Sequence, residues 1–360
     1  MEDYDLPALL RMVVDCNASD LFLTTGAPPQ VKVDGKVQAL PLPALRVGQT
    51  HKLAYSAMTP QAIADYERNL ECNMAYAPDG IGRFRLNVYQ QRRETGLVAR
   101  LVRSQIPTFD TLGLPSTVRE LSLLPRGLIL VIGAAGSGKT TTLASMVDYR
   151  AMHHSGHILT VEDPIEYLFR HGLSTVDQRE VGVDTHSFAN ALRNAMRQAP
   201  DMIMIGEIRD QETMQHALSY AETGHLCIST LHASNASQAI KRLLNFFPES
   251  AHAQLRMDLS LNLNAIVAQR LLPGLSGKRV LATEVLLQSA HVADLIHRGA
   301  VDELRQSLEK TSVMGTHSFD QSLLDLYQRG LIAQEVALAH ADSRTDLGLR
   351  MRLHSSHDPH

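Results

Sequence analysis

The apolar positions change rhythm along this chain, and the change divides it. Leu6, Leu9, Leu10, Val13 and Val14 recur at helical spacing and predict a helix near the start. Asn17-Ala-Ser-Asp20 interrupts that stripe, and Leu21-Phe-Leu-Thr24 reads as a strand. Gly26-Ala-Pro-Pro29 turns the chain into Val31-Lys-Val33, and Asp34-Gly35 is a hairpin signal. A further helix is expected over 59–70, and alternating residues over 83–88 and 96–102 predict strands. The stretch 1–103 thus reads as a small α+β domain with an antiparallel sheet.

Turn formers, among them Pro107, Gly113 and Pro115, fill the stretch 104–116, which reads as a linker. Beyond it short apolar runs alternate with helical segments. Strands are expected over 127–132, 157–161, 201–205 and 226–230, and helices over 140–152, 187–198, 211–222 and 234–246. That order predicts a parallel sheet wrapped by helices, an α/β domain spanning 117–342. After Pro248 the chain reads as mostly helical, with one strand over 279–285. The tail 343–360 is polar, ends in His354, His357 and His360, and is expected to fray.

Composition narrows the function classes. At 360 residues the chain suffices for about two domains. A formal charge of -4 argues against a strongly basic nucleic-acid binder, and aromatics at 5% with no Trp argue against base-stacking platforms. Cys16, Cys72 and Cys227 are too far apart for a CxxC metal site or a disulfide framework and suit a reducing compartment. No apolar run approaches the ~20 residues of a membrane span, and the acidic N-terminus is unlike a signal peptide. A cytoplasmic protein is expected, with no nucleic-acid partner and membrane contact only through partners.

The chemistry concentrates behind the strand at 127–132. Gly133, Ala134, Ala135, Gly136, Ser137, Gly138, Lys139 and Thr140 fit the phosphate-binding pattern G-x-x-x-x-G-K-[ST], with Thr141 next in line. Glycines let successive N–H groups converge on phosphates, and a helix N-terminus adds its positive end. Lys139 would reach the β- and γ-phosphates of ATP, and the Thr140 hydroxyl would ligate Mg²⁺.

Three polar clusters follow at strand ends, where ligands lie in open parallel sheets. They are Glu162-Asp163-Pro164-Ile165-Glu166, then Gly206-Glu207-Ile208-Arg209-Asp210, then the stretch from Gly224-His225 to His232. A basic set, Arg83, Arg85, Arg100 and Arg103, lies in the first domain. ATP hydrolysis needs a group that orients water, a Mg²⁺ shell and cations for the developing charge. Each cluster also has a plainer reading: Asp163-Pro164 starts a helix well, His225 could be a core histidine, and strand arginines are usually solvated. Their order behind a phosphate loop favours the chemical reading.

Val161-Glu-Asp-Pro-Ile-Glu166 resembles the Asp box of secretion superfamily ATPases. Ile203-Met-Ile-Gly-Glu-Ile-Arg209 is similar to their Walker B motif, and Thr223-Gly-His225 with Thr230-Leu-His232 to their His box. The resemblance spans nearly the whole chain and is closest to the type IV pilus retraction ATPases of the PilT/PilU group. Asn17-Ala-Ser-Asp-Leu-Phe-Leu-Thr24, Arg197-Gln-Ala-Pro-Asp201 and the stretch from Leu261 to Arg270 look PilU-like.

The resemblance implies a PAS-like N-terminal domain before a RecA-like P-loop NTPase domain, in a homohexamer. It implies Glu162 as the carboxylate polarising water and Glu207 in the Mg²⁺ shell through water. Asp163 and Glu166 fall in the nucleotide set. His225 and His232 would sense the γ-phosphate, Arg85 and Arg100 would reach the nucleotide, and Arg209 would pair with a carboxylate across an interface or serve a purely structural role. The implied partners are a PilT-type retraction ATPase and a PilC-like inner-membrane platform protein, and the implied role is twitching motility. Extension and secretion members generally add an N-terminal domain and a Cys₄ insertion, for which no counterpart is visible. One segment departs from the PilT pattern Ala-Ile-Arg-Asn-Leu-Ile-Arg. Here it reads His291-Val-Ala-Asp-Leu-Ile-His297, so Ala293 and His297 stand for two arginines. That favours an accessory, PilU-type role.

Overall fold

The computed structural model describes residues 4–33, 35–102, 105–310 and 313–355. Asp34, Arg103, Ser104, His357 and His360 lie outside them. The chain forms two compact units, residues 1–105 with 166–168, and residues 106–165 with 169–360.

The first unit holds six antiparallel strands: β1 (Asp20–Leu23), β2 (Gln30–Val33), β3 (Lys36–Ala39), β4 (Glu71–Tyr76), β5 (Phe84–Gln91) and β6 (Glu94–Leu101). Their order is β3-β2-β1-β6-β5-β4. The opening helix, Leu6–Asp15, buries Leu6, Leu9, Leu10 and Val13, the stripe its spacing predicts, and Asp5 caps it through the amide of Ala8. Alternation in β5 sends Phe84, Leu86 and Val88 into the same core. Edge strand β4 and helix Gln49–Ala57 escape the periodicity. Every residue of β4 is at least partly exposed, so no apolar face marks it.

The second unit is built on β7 (Gly127–Gly133), β8 (Gly156–Glu162), β9 (Ser174–Glu180), β10 (Met202–Ile205), β11 (Leu226–Leu231), β12 (Leu263–Pro273) and β13 (Arg279–Leu287). The order is β13-β12-β7-β11-β10-β8-β9. All neighbours run parallel except β12 with β13. Central β7 is buried along its whole length. Leu128, Leu130 and Ile132 join the core on one face, and Ile129 and Val131 the core under helix Lys139–His153 on the other. Each such side chain contributes about 1.5–3 kcal/mol relative to exposure. Helices Gln211–Glu222 and Ala236–Leu244 start where Asp210 and Asn235 accept the amides of Thr213 and Gln238.

Three expectations need correction. The stretch 104–116 is not only linker: helix Phe109–Leu112 lies within it, and Phe109 and Leu114 enter the core under helix Lys139–His153. The region after Pro248 contains β12, eleven residues long, beside β7. Its run of buried residues is the pattern that periodicity cannot separate from a buried helix. The tail is not frayed over 344–355, because helix Arg344–Ser355 buries Leu347 and Met351, one turn apart. Among the described residues, no helix is long and apolar enough to cross a membrane.

Candidate nucleotide site

The chain leaves β7 at Gly133 (φ 153°) and passes Gly136 (φ 75°) and Gly138 (φ 93°) before helix Lys139–His153 begins. A Cβ at Gly133 would collide with the Ser137 hydroxyl and sit 2.7 Å from the Gln269 carbonyl oxygen. The turn is therefore as tight as glycine allows. Gly138 caps the helix without any side-chain acceptor, so the cap residue leaves the first-turn amides to another partner. Ala134, Ala135 and Gly136 are exposed, Ser137 is buried, and Thr140 and Thr141 are half-buried. Lys139 is 8% exposed, and its Nζ donates to the carbonyls of Gly133 and Ala134, both at 2.9 Å. A glycine-rich turn, a buried ammonium and a helix N-terminus fit a phosphate chain.

Register brings the other clusters to the same end of the sheet. Ile132 pairs with Leu231, Ser229 with Ile205, and Ile205 with Val161. Glu162, Glu207 and His232 thus follow neighbouring strands at the end where the phosphate loop leaves. Gly206 has no side chain to separate the loops: its added Cβ would lie 3.3 Å from the Val161 carbonyl. Glu162 is 4% exposed, and its Oε1 accepts from Thr160 Oγ1 at 2.6 Å and Gln178 Nε2 at 3.1 Å.

Arg209 ties the loops together. Its Nε donates to Glu207 Oε2 at 2.8 Å, and its Nη1 to Asp163 Oδ2 at 3.3 Å. His232 Nε2 lies 3.1 Å from Glu207 Oε1. A polar chain therefore runs Asp163, Arg209, Glu207, His232 across three loops. The bond to Glu207, helped by the nearby Asp163 charge, holds the Arg209 guanidinium further toward its protonated form.

His225 is the correction. It precedes β11 and its carbonyl accepts from Gly127, the first residue of β7, at 3.0 Å. Six strand residues at ~3.3 Å each separate it from His232, roughly 20 Å. Its Nδ1 lies 3.1 Å from Thr223 Oγ1, and its surroundings are Arg150, His154 and Asp201 at the opposite end of the sheet. Within one chain it does not face the phosphate loop. Glu166 is exposed in the segment between β8 and β9.

Arg85 and Arg100 are cross-strand partners on β5 and β6, and Asp20 of β1 stands opposite Arg100. Arg100 Nε donates to Asp20 Oδ1 at 2.7 Å while most of its side chain stays exposed. Arg83 precedes β5, its carbonyl accepting from Val102 at 2.9 Å. Residue typing missed Thr160 and Gln178. Thr160 was open to discovery, since two residues along a strand share a face with Glu162.

Residues 77–345 match the family described as Type II/IV secretion system protein. The chain is 49% identical over 351 residues to the type IV pilus ATPase PilU of Pseudomonas aeruginosa, covering 97% of this chain and 92% of that protein. The chain belongs to the PilT/PilU family of pilus ATPases. It is 39% identical to the type IV pilus PilT ATPase of the same organism, over 92% of this chain and 97% of that one. The solved structure of the pilus retraction motor PilT with bound ADP superposes with a TM-score of 0.90 at 41% identity, over 96% of this chain and 99% of that one. The Legionella pneumophila ATPase DotB gives 0.80 at 26%, over 94% and 96%. PilT/PilU membership makes the chain a nucleotide-binding, ATP-hydrolysing enzyme of the pilus motor class.

Proposed function

We propose that this enzyme is a cytoplasmic, Mg²⁺-dependent motor that powers or assists retraction of type IV pili, depolymerising pilin for twitching motility. The observation that carries the reading is the chain Asp163, Arg209, Glu207, His232 at the end of the sheet where the phosphate loop leaves. A charge change at the γ-phosphate alters the balance of this chain, and three loops move with it. Glu162, buried and oriented by Thr160 and Gln178, is the carboxylate that polarises the attacking water. His232 reads the γ-phosphate through Glu207. Arg85 and Arg100 act as cations on the nucleotide.

The oxygen donors suit Mg²⁺. A threonine hydroxyl at Thr140 and a carboxylate at Glu207 are the hard ligands it takes alongside phosphate oxygens and water. Among the described residues no cluster of three His, Cys, Asp or Glu could hold a metal alone. When bound, the ion would neutralise charge on the β- and γ-phosphates.

The working unit we propose is a homohexamer engaging a PilC-like inner-membrane platform protein, with a PilT-type ATPase as partner. A second reading, an accessory subunit whose own hydrolysis is dispensable, is favoured by helix Ala290–Arg298. Its Val292, Leu295 and Ile296 are buried, while His297 is exposed and Ala293 half-buried one turn away. The two positions where the PilT pattern has arginine therefore lie off the packed face. Steady-state ATPase of the chain, alone and mixed with the host's principal retraction ATPase, tests the proposal, with mass measured alongside. Turnover by a hexamer of this chain alone supports the self-sufficient motor. A silent chain that activates its partner supports the accessory role, and no turnover in either sample contradicts both. Complementing a deletion with Glu162→Ala separates them in the cell: restored retraction fits only the accessory reading.

A further inference from the structure

We infer that Gln269 is a positioning residue for the phosphate loop, acting through the hydroxyl of Thr142 and the backbone of Gly133. β12 runs parallel to β7, and its Gln269 pairs with Gly133, where the loop begins. Gln269 is 1% exposed, and its Nε2 donates to Thr142 Oγ1 at 2.6 Å. Thr142 sits three residues beyond Lys139, in the first turn of helix Lys139–His153, and its amide bonds to the Gly138 carbonyl at 3.0 Å. One residue therefore meets the loop at its entry through its backbone and at its exit through its side chain.

The fit beneath the loop is close. The Gln269 carbonyl oxygen and the Ser137 hydroxyl together fill the space a side chain at Gly133 would need. The next residue but one, Leu271, approaches Gly138, its Cδ1 3.9 Å from where a Cβ would sit. Among the described residues, Ser137 Oγ and Gln269 Oε1 are buried without a hydrogen-bond partner. The Gly133 carbonyl holds the Lys139 ammonium at 2.9 Å.

Phosphate affinity depends on amides and ammonium already placed, and displacements near 1 Å are costly. A buried neutral hydrogen bond is strong when made and expensive to leave half-made. A glutamine here also fixes the loop without placing a negative charge under the phosphates. The neighbouring Arg270 faces away, its guanidinium held by the His340 carbonyl and Asp342, so it does not share this duty.

The test uses the full chain. Binding of a fluorescent ADP analogue, KM for ATP, kcat and thermal midpoint are measured for Gln269→Met, Thr142→Val, the double variant and Thr142→Ser. Each of the first two is expected to weaken ADP and raise KM by ~10-fold, with kcat within about threefold. The double variant should be no worse than either single, and Thr142→Ser should match wild type. Lowered thermal midpoints with unchanged ADP affinity and KM would overturn the inference, as would effects that multiply in the double variant. Should Gln269→Met fail to fold, Thr142→Val against Thr142→Ser decides alone: equal ADP affinities overturn the inference.

Discussion

The two ends of the parallel sheet in the second unit share strands but not chemistry. At the carboxyl ends of β7, β8, β10 and β11 stand the phosphate loop, Glu162, Glu207 and His232, joined through Arg209 to Asp163. At the amino ends stand His225 and Arg150, with Asp201 bonded to the His157 amide at 2.7 Å. Arg150 is 1% exposed and donates to the carbonyls of Ser122 and Leu124, and burial lowers the proton affinity of its guanidinium. Both ends are polar, yet one carries the phosphate loop and a chain of paired side chains from three loops, while at the other Arg150 and Asp201 bond to the backbone. Charge density alone does not mark a site; strand direction and backbone shape decide.

The strongest way to break this contrast is Lys139→Ala. It should abolish turnover, a loss of more than ~10³-fold, since the residue supplies the loop's buried cation. Near-normal turnover would move the active end elsewhere. The two histidines sharpen the contrast. His232→Ala should lower kcat by ~10-fold through Glu207, whereas His225→Ala should leave ADP affinity of the isolated chain within about twofold. Equal losses of ADP affinity would show that the two ends are not chemically distinct.

The smallest expected effect concerns stability. Burial pushes the Glu284 carboxyl up to about 7. The Ala236 amide, donating at 2.8 Å, with Arg270 and Arg305, pulls the other way, and Asp342 adds to the rise. The folded chain thus holds a proton that the unfolded chain has released between ~4.5 and ~7, so this group's contribution is present at low pH and lost as pH rises through about 7. Glu284→Gln keeps an oxygen for Ala236 and carries no charge. Its thermal midpoint should gain on wild type by roughly 5 °C between pH 5 and pH 8. A gap that stays constant across that range contradicts the assignment.

Much of the site was legible because its motif imposes its own context. The apolar run before Gly133 could only feed a loop, and Lys139 to Met152 lacks any helix breaker. Resemblance led to the expectation that Arg209 pairs with a carboxylate across an interface, whereas the folded chain gives it two partners within its own unit, Asp163 and Glu207. The separation of the histidines was readable and overlooked: a strand between His225 and His232 places them at its two ends. β12 was hidden for a different reason. A strand buried on both faces carries no alternation, and the helix before it, His252–Asn262, runs into it without a turn of glycine or proline. Gln269 was hidden with it, since a buried amide acquires meaning only from the strand that sets its neighbour.

The measurement that tests the account most directly is Glu162→Gln, assayed for ADP binding and for ATP turnover. Glutamine keeps the side chain's size and loses the charge to which we assign the polarisation of water. The account predicts ADP affinity close to wild type with turnover reduced by ~10²–10⁴-fold. Turnover close to wild type would contradict it and pass the role to another carboxylate, with Glu207 first in line.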